Sequence, residues 1–251
     1  MALFRRKHKK IDNESLKYGV GLITYSDPTS SIAEQFRTIR TNIQFSTIDK
    51  QLNTVLFTSS EPSEGKSTVS NNVAVTWADQ GKKVILIDAD LRRPTVHRTF
   101  GVSNTTGLST VLSGNTNLDE VIKETVIPNL FVITSGPVPP NPSELLNSSR
   151  MDTILKELIE QSDLLIIDAP PVNTVTDAQV LAARVDGTIL VVPQGIADKG
   201  GVKHAKQLLE AVHANILGAI MNRVTAEKSN GYYGGYYGGY YGGYYGTEDK
   251  K

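Results

Sequence analysis

The sequence predicts an α/β fold: a mostly parallel, doubly wound sheet flanked by helices, with an extra N-terminal helix and a tyrosine-rich C-terminal tail. Three observations predict it. Short runs rich in Val, Ile and Leu alternate with helical stretches, the pattern of a parallel sheet covered on both faces. One run leads into Gly-Lys-Ser-Thr, and two others end in aspartate. The length, 251 residues, suits one such domain with short tails.

The elements follow in chain order. Residues 1–28 read as a flexible arm whose cluster Arg5-Arg6-Lys7-His8-Lys9-Lys10 is a solvated terminus, with grazing contact to an anionic membrane surface as the alternative. Ser31-Ile32-Ala33-Glu34 reads as a capping box, and Ile32, Phe36, Ile39 and Ile43 continue at helical spacing to about residue 46. The other face of this helix carries Glu34, Arg37 and Arg40. Intrahelical pairs among them would contribute only about 0.2–0.5 kcal/mol each. Strands are expected at 54–59, 83–89, 130–136, 163–169, 187–193 and 216–222, all lacking polar alternation, so both faces of each should be buried. Helices are expected at 65–80, 106–113, 143–161, 175–184 and 199–213. The third starts with Asn141 as N-cap, Pro142 at N1 and Glu144 at N3. A folded domain over 29–226 and a tail over 227–251 complete the division.

Composition narrows the function. Lys plus Arg and Asp plus Glu each number 26, so no net field selects nucleic acid or membrane. The chain has no cysteine, which removes disulfides, thiolate metal sites and Cys nucleophiles. No apolar run reaches the roughly 18 residues of a membrane span, so a soluble, cytosolic protein is expected.

Ser60-Glu61-Pro62-Ser63-Glu64-Gly65-Lys66-Ser67-Thr68 follows the first strand and opens a helix. In that context G-x-x-x-x-G-K-[ST] is a P-loop: backbone N–H groups wrap phosphates, Lys66 reaches the β- and γ-phosphates, and Ser67 offers its hydroxyl to Mg²⁺. Ser60 stands where the first glycine would be. Val84-Ile85-Leu86-Ile87 delivers Asp88-Ala89-Asp90-Leu91-Arg92, and Leu164-Leu165-Ile166-Ile167 delivers Asp168. A carboxylate at the end of a buried strand is costly unless compensated. Mg²⁺ bound to ATP would compensate three of them, at the carboxyl ends of the strands where such sheets bind ligands. Together these features predict a P-loop NTPase.

These motifs, with the helix pattern Glu34-x-x-Arg37-x-x-Arg40, the segment GPVPPNPSELL (136–146) and the closing YYGG repeat, make the chain similar to bacterial tyrosine kinases (BY-kinases) of the capsule and exopolysaccharide type. The resemblance runs from about residue 20 to the C-terminus. It implies a Walker A motif at 60–68, a Walker A′ motif at 84–92 and a Walker B motif at 164–171. It further implies ATP and Mg²⁺ as cofactors, with Ser67, Asp90 and Asp168 around the metal and Asp88 as the base near the acceptor. Asp90 is an equal candidate for that base by residue type. Arg92 would either stabilise phosphate charge or pair with a local acid, and Asn222 would face adenine or simply end its strand.

Tyr232, Tyr233, Tyr236, Tyr237, Tyr240, Tyr241, Tyr244 and Tyr245 are the expected phosphoacceptors. Glycine at alternate pairs predicts a flexible tether, spanning roughly 25 Å on average and about 65 Å when stretched. A self-associating or nucleic-acid-stacking repeat is the rival reading of the tail, but no Lys or Arg lies between Tyr232 and Lys250. The resemblance implies a ring of subunits joined through Glu34, Arg37 and Arg40, with tails phosphorylated in trans. Eight phosphates would add roughly −12 to −16 charges and loosen the ring. Its other implications are a membrane-bound activator that controls polysaccharide chain length, recruitment to the inner face of the membrane through it, and a cognate tyrosine phosphatase. Two rivals share the motifs: a partition or positioning ATPase, and a nucleotide-binding adaptor without activity. The first favours a second lysine where this chain has Glu61.

Overall fold

A computed structural model describes residues 14–47 and 51–224. The basic cluster at 5–10 and the eight tail tyrosines lie outside the described residues. In chain order the elements are α1 (Glu14–Tyr18), α2 (Ile23–Ser26), α3 (Ser31–Phe45), β1 (Thr54–Ser59), α4 (Lys66–Ala78), β2 (Val84–Asp88), α5 (Val96–Thr99) and α6 (Leu108–Leu112). There follow β3 (Ile122–Glu124), β4 (Leu130–Ile133), α7 (Pro142–Leu146), α8 (Ser149–Gln161), β5 (Leu164–Asp168), α9 (Asp177–Ala182), β6 (Gly187–Pro193), α10 (Lys199–Ala211) and β7 (Ile216–Asn222).

Among the described residues seven strands form one sheet, in the order β3-β4-β2-β5-β1-β6-β7. Every pairing is parallel except β3 with β4. The expected doubly wound sheet is therefore present. Alternate residues of each strand divide between two cores. Ile85, Ile87, Leu165 and Ile167 pack with Leu112, Leu158 and Leu209 on one face, while Val84, Leu86, Leu164 and Ile166 pack with Phe36, Val73 and Trp77 of α3 and α4 on the other.

Several expectations need correction. The cap of α3 is Ser30, not Ser31: Ser30 is extended (φ −65°, ψ 151°) and its hydroxyl accepts the Ala33 N–H at 3.2 Å. That shift places Ala33 on the buried face and leaves Ile32 50 % exposed. The helix expected at 143–161 is two helices. Arg184 donates to the Leu146 and Asn147 carbonyls, satisfying the end of α7, and Ser148 (φ −74°, ψ 154°) begins α8 in extended geometry. Asn141 stands at the N-cap, but its side-chain amide donates to Glu144 instead of accepting a backbone N–H. β3 was not expected, since three residues at an antiparallel edge carry too little periodicity to register. β7 is a half-exposed edge strand, not one buried on both faces.

The supposed arm is also shorter than 1–28, because from Glu14 the chain is folded against the domain. Val20 N–H donates to Thr99 Oγ1 at 3.0 Å, and the Thr24 N–H and hydroxyl both donate to Asn72 Oδ1, at 3.1 and 2.9 Å. Gly19 makes the crossing possible. It has φ 79°, and a Cβ there would lie 2.5 Å from Thr99 N.

The cap assignment is testable. Ser30→Ala should lower unfolding free energy by about 1 kcal/mol, whereas Ser31→Ala should change it by less than about 0.5 kcal/mol. Urea melts in which Ser31→Ala costs more would restore the cap to Ser31.

Candidate active site

The carboxyl ends of β1, β2 and β5 meet because β5 lies between the other two. In the β2–β5 ladder Asp88 is the direct partner of Asp168. Parallel partners project to the same face about 4.8 Å apart, so two carboxylates stand side by side beneath α4.

The loop from Ser59 to α4 is braced from inside. Ser60 Oγ and the Glu61 N–H both donate to Glu64 Oε2, at 2.8 and 3.0 Å. This gives Ser60 a role where the motif has glycine. Burial raises the Glu64 pKa, with the bonds from Glu61 and Ser60 acting against it. Ser63 (φ 63°) and Gly65 (φ 94°) are left-handed, which turns neighbouring N–H groups toward one point. Gly65 is required by space as well, since a Cβ would lie 2.1 Å from Asn222 Nδ2. α4 then begins at Lys66 with no side-chain cap, leaving its first N–H groups for an anion.

Lys66 is 9 % exposed. Its Nζ lies 2.9 Å from Asp90 Oδ2, 3.4 Å from Asp168 Oδ1 and 3.3 Å from Ser67 Oγ. Burial alone would lower its pKa, but Asp168, Asp90 and Asp88 outweigh burial and hold it above the ordinary lysine range. Asp88 Oδ2 accepts the Thr95 and Val96 N–H groups at 3.0 Å each, while its Oδ1 has no partner. Burial, then the charges of Asp168 and Asp90, push Asp88 up to about 8, against the pull of the Val96 N–H and Lys66. Asp168 is likewise raised by burial, with Lys66 and Ser67 opposing, and its Oδ2 is unpartnered.

Three buried carboxyl groups thus share one ammonium, and two of their oxygens lack partners. That deficit fits a divalent cation. Among the described residues no three His, Cys, Asp or Glu side chains form a metal group by themselves. Mg²⁺ takes one or two carboxylates plus phosphate oxygens, and Ser67, Asp90 and Asp168 could supply the protein's share. Gly65, Lys66, Ser67, Thr68 and Asp90 line one cleft of about 150 Å³, next to the uncapped helix end where phosphates would sit.

Arg92 pairs with an acid. Its Nε lies 3.0 Å from Asp177 Oδ2, and its NH2 donates to Ser143 Oγ at 3.2 Å. Asp177 is fully buried at the start of α9. Asn222 closes the P-loop from the sheet side: its Nδ2 donates to the Glu64 carbonyl at 3.1 Å, and its Oδ1 accepts the Arg223 N–H at 2.8 Å. Glu34 pairs with Arg37, while Arg40 donates to the Thr76 carbonyl of α4 at 2.6 Å. The triplet is therefore on α3, away from the three strand ends.

Several contributors lie outside the sequence motifs. Asp177 lies 85 positions from Arg92 and sits in an ordinary helical stretch. Leu16 and Val20 also line the cleft, brought there by the N-terminal crossing. Arg223 donates to the Ser63 carbonyl at 3.0 Å; its position next to Asn222 at a strand end was the available signal.

A family model described as an AAA domain matches residues 53–217. The tyrosine-protein kinase YwqD of Bacillus subtilis is 45 % identical over 215 residues, which cover 85 % of this chain and 91 % of that protein. The putative tyrosine-protein kinase CapB of Staphylococcus aureus is 45 % identical over 212 residues, 84 % of this chain and 93 % of that protein. Among solved structures, the kinase domain of Escherichia coli tyrosine kinase ETK superimposes with a TM-score of 0.77 at 37 % identity, covering 84 % of this chain and 85 % of that one.

Proposed function

The chain belongs to the bacterial tyrosine-kinase (BY-kinase) family, and from that premise we propose that it is an ATP-dependent autokinase phosphorylating its own C-terminal tyrosines in trans. The observation that carries this reading is the clustering of Asp90 and Asp168 on Lys66, with Asp88 paired to Asp168 in the sheet and Lys66 and Asp90 lining the cleft beside the P-loop, in a chain that ends in eight tyrosines.

Phosphoryl transfer asks the protein mainly for positioning and charge neutralisation. Lys66 moves from Asp90 and Asp168 to the β- and γ-phosphates, and the N–H groups of the loop and of α4 hold the remaining oxygens. Ser67, Asp90 and Asp168 would hold Mg²⁺, which would spread the negative charge of the phosphates. Asp88 would take the proton from the acceptor hydroxyl through its unpartnered Oδ1, in the ionised form that bound Mg²⁺ would favour by offsetting the charges of Asp168 and Asp90 that raise its pKa. The tyrosine oxygen forms a bond to the γ-phosphorus, the bond from that phosphorus to the β–γ bridging oxygen breaks, and ADP leaves. A tyrosine hydroxyl with a pKa near 10 needs such a base. Arg92, fixed by Asp177, lies at the mouth of the cleft and steadies charge there. Asn222 holds the P-loop through the Glu64 carbonyl.

Trans transfer rests on the family resemblance and on the reach of the tail. Glu34, exposed at 62 % in its side chain, and its partner Arg37 offer charged groups to a neighbouring subunit in a ring. Phosphate on eight tyrosines would load that assembly with charge and separate it. Through that cycle the kinase would regulate capsular or exopolysaccharide synthesis, chain length and export, activated at the inner membrane face by a polysaccharide co-polymerase and reset by a tyrosine phosphatase. No helix among the described residues is long and apolar enough to cross a membrane, so recruitment through that partner is the route proposed.

A mixing experiment tests the trans step. Full-length Lys66→Met chain serves as acceptor for a chain in which all eight tail tyrosines are Phe. Phosphotyrosine should appear on the Lys66→Met chain, and light scattering of wild-type protein should show a loss of mass after ATP. Phosphotyrosine in unmixed wild type but none in the mixture would make the transfer intramolecular.

A further inference from the structure

A second concavity lies on the far edge of the sheet, between α10 and the strands β6 and β7. It has a volume of about 610 Å³, larger than the nucleotide cleft, and the mechanism does not use it. Its floor is apolar, including Val192 and Met221, and Met221 is 62 % exposed. Along its rim Lys199, Lys203 and Lys206 recur at helical steps of four and three, which places three ammonium groups in one row. Lys206 pairs with Glu210 at 2.9 Å, whereas Lys199 and Lys203 form no ion pair among the described residues. The groove also holds a buried acceptor, Gln194 Oε1, with no hydrogen-bond partner.

Apolar floor, cationic rim and a free acceptor together match a peptide carrying aromatic rings with anionic ends. The chain itself supplies one. β7, which forms the outer wall, ends at Asn222, and Tyr232 follows eleven residues after Met221, a reach of up to about 36 Å. We propose that this groove receives the phosphorylated tyrosine tail of the same chain, rings on the floor, phosphates on Lys199 and Lys203, and a tail N–H on Gln194. Charge-assisted bonds to phosphate favour the modified form over the unmodified one. The groove would then draw spent tails away from the catalytic cleft. The inference rests on the tail being the phosphoacceptor, as proposed above.

Hydrogen–deuterium exchange on the full chain tests it, comparing ATP-phosphorylated protein with phosphatase-treated protein and with Lys199→Glu/Lys203→Glu protein. Phosphorylation should slow exchange across 199–211 and 216–222 at every protein concentration, and the double charge reversal should lose that protection while still acquiring phosphotyrosine. Unchanged exchange on a phosphorylated tail would overturn the proposal, as would protection that survives the charge reversal. Protection that disappears on dilution would also overturn it, assigning the groove to a second copy. A chain that acquires no phosphotyrosine at all would instead remove the autokinase reading beneath it.

Discussion

Lys66→Met is expected to abolish autophosphorylation in a protein that is also less stable than wild type when nucleotide is absent. The catalytic loss follows from removing the ammonium that, among the described residues, pairs with these acids and would reach the phosphates once they bind; a single such group typically contributes 10²–10³-fold, so roughly that loss or more is expected. The stability loss follows from the same contacts. Lys66 Nζ lies 2.9 Å from Asp90 and 3.4 Å from Asp168, and its removal leaves Asp88, Asp90 and Asp168 buried together without a counter-charge. Breaking a buried pair on one side costs about 3–5 kcal/mol. The deficit should shrink as pH falls, because Asp88 and Asp168 already have raised pKa values and protonation relieves their repulsion. Anti-phosphotyrosine blots and urea melts at two pH values measure both effects. Undiminished autophosphorylation would end the assignment of Lys66.

Asp88→Asn is expected to separate activity from stability in the opposite sense. Loss of a general base should lower kcat by about 10²–10⁴-fold while ATP still binds, since Lys66, Ser67, Asp90 and Asp168 remain. Without nucleotide and Mg²⁺ the variant should melt higher than wild type above neutral pH. The sign follows from linkage: the unfolded Asp ionises near pH 4, whereas folded Asp88 holds its proton to about 8. Between those values the folded state binds more protons, so Asp88's contribution to stability falls as pH rises; Asn removes that fall. Asp90→Asn should instead weaken Mg-ATP binding. The reverse split, with binding lost in Asp88→Asn and only turnover lost in Asp90→Asn, would move the base to Asp90.

The candidate nucleotide site was the most legible part of the sequence, for a physical reason. Asp88 and Asp168 end fully buried strands, where carboxylates are too costly to occur without compensation, and Gly65-Lys66-Ser67 has the pattern of a phosphate loop that would bring that compensation. What escaped reading depended on tertiary packing. Asp177 gains its meaning from Arg92 across the fold. The break between α7 and α8 is held by Arg184, which binds carbonyls at the end of α7; the polar run Asn147-Ser148-Ser149-Arg150, which interrupts the apolar period, was its only local sign. The capping-box spacing to Glu34 belongs to Ser31 and not to Ser30, so the local signal pointed one residue late, and the cap fell to the serine whose backbone is extended. The N-terminal crossing was hidden because its contacts, Thr24 to Asn72 and Val20 to Thr99, join polar residues that composition assigns to loops.

The central claim is that the tail is the enzyme's own substrate. Tyr18 and Tyr25 are exposed, at 68 % and 51 %, so both are accessible competitors for the same phosphate. The measurement is mass-spectrometric mapping of phosphotyrosine on full-length protein after incubation with Mg-ATP. Phosphate confined to Tyr232, Tyr233, Tyr236, Tyr237, Tyr240, Tyr241, Tyr244 and Tyr245, and absent in Lys66→Met, is the predicted result. ATP hydrolysis without tail phosphotyrosine, or phosphate on Tyr18 and Tyr25 in preference to the tail, would contradict it.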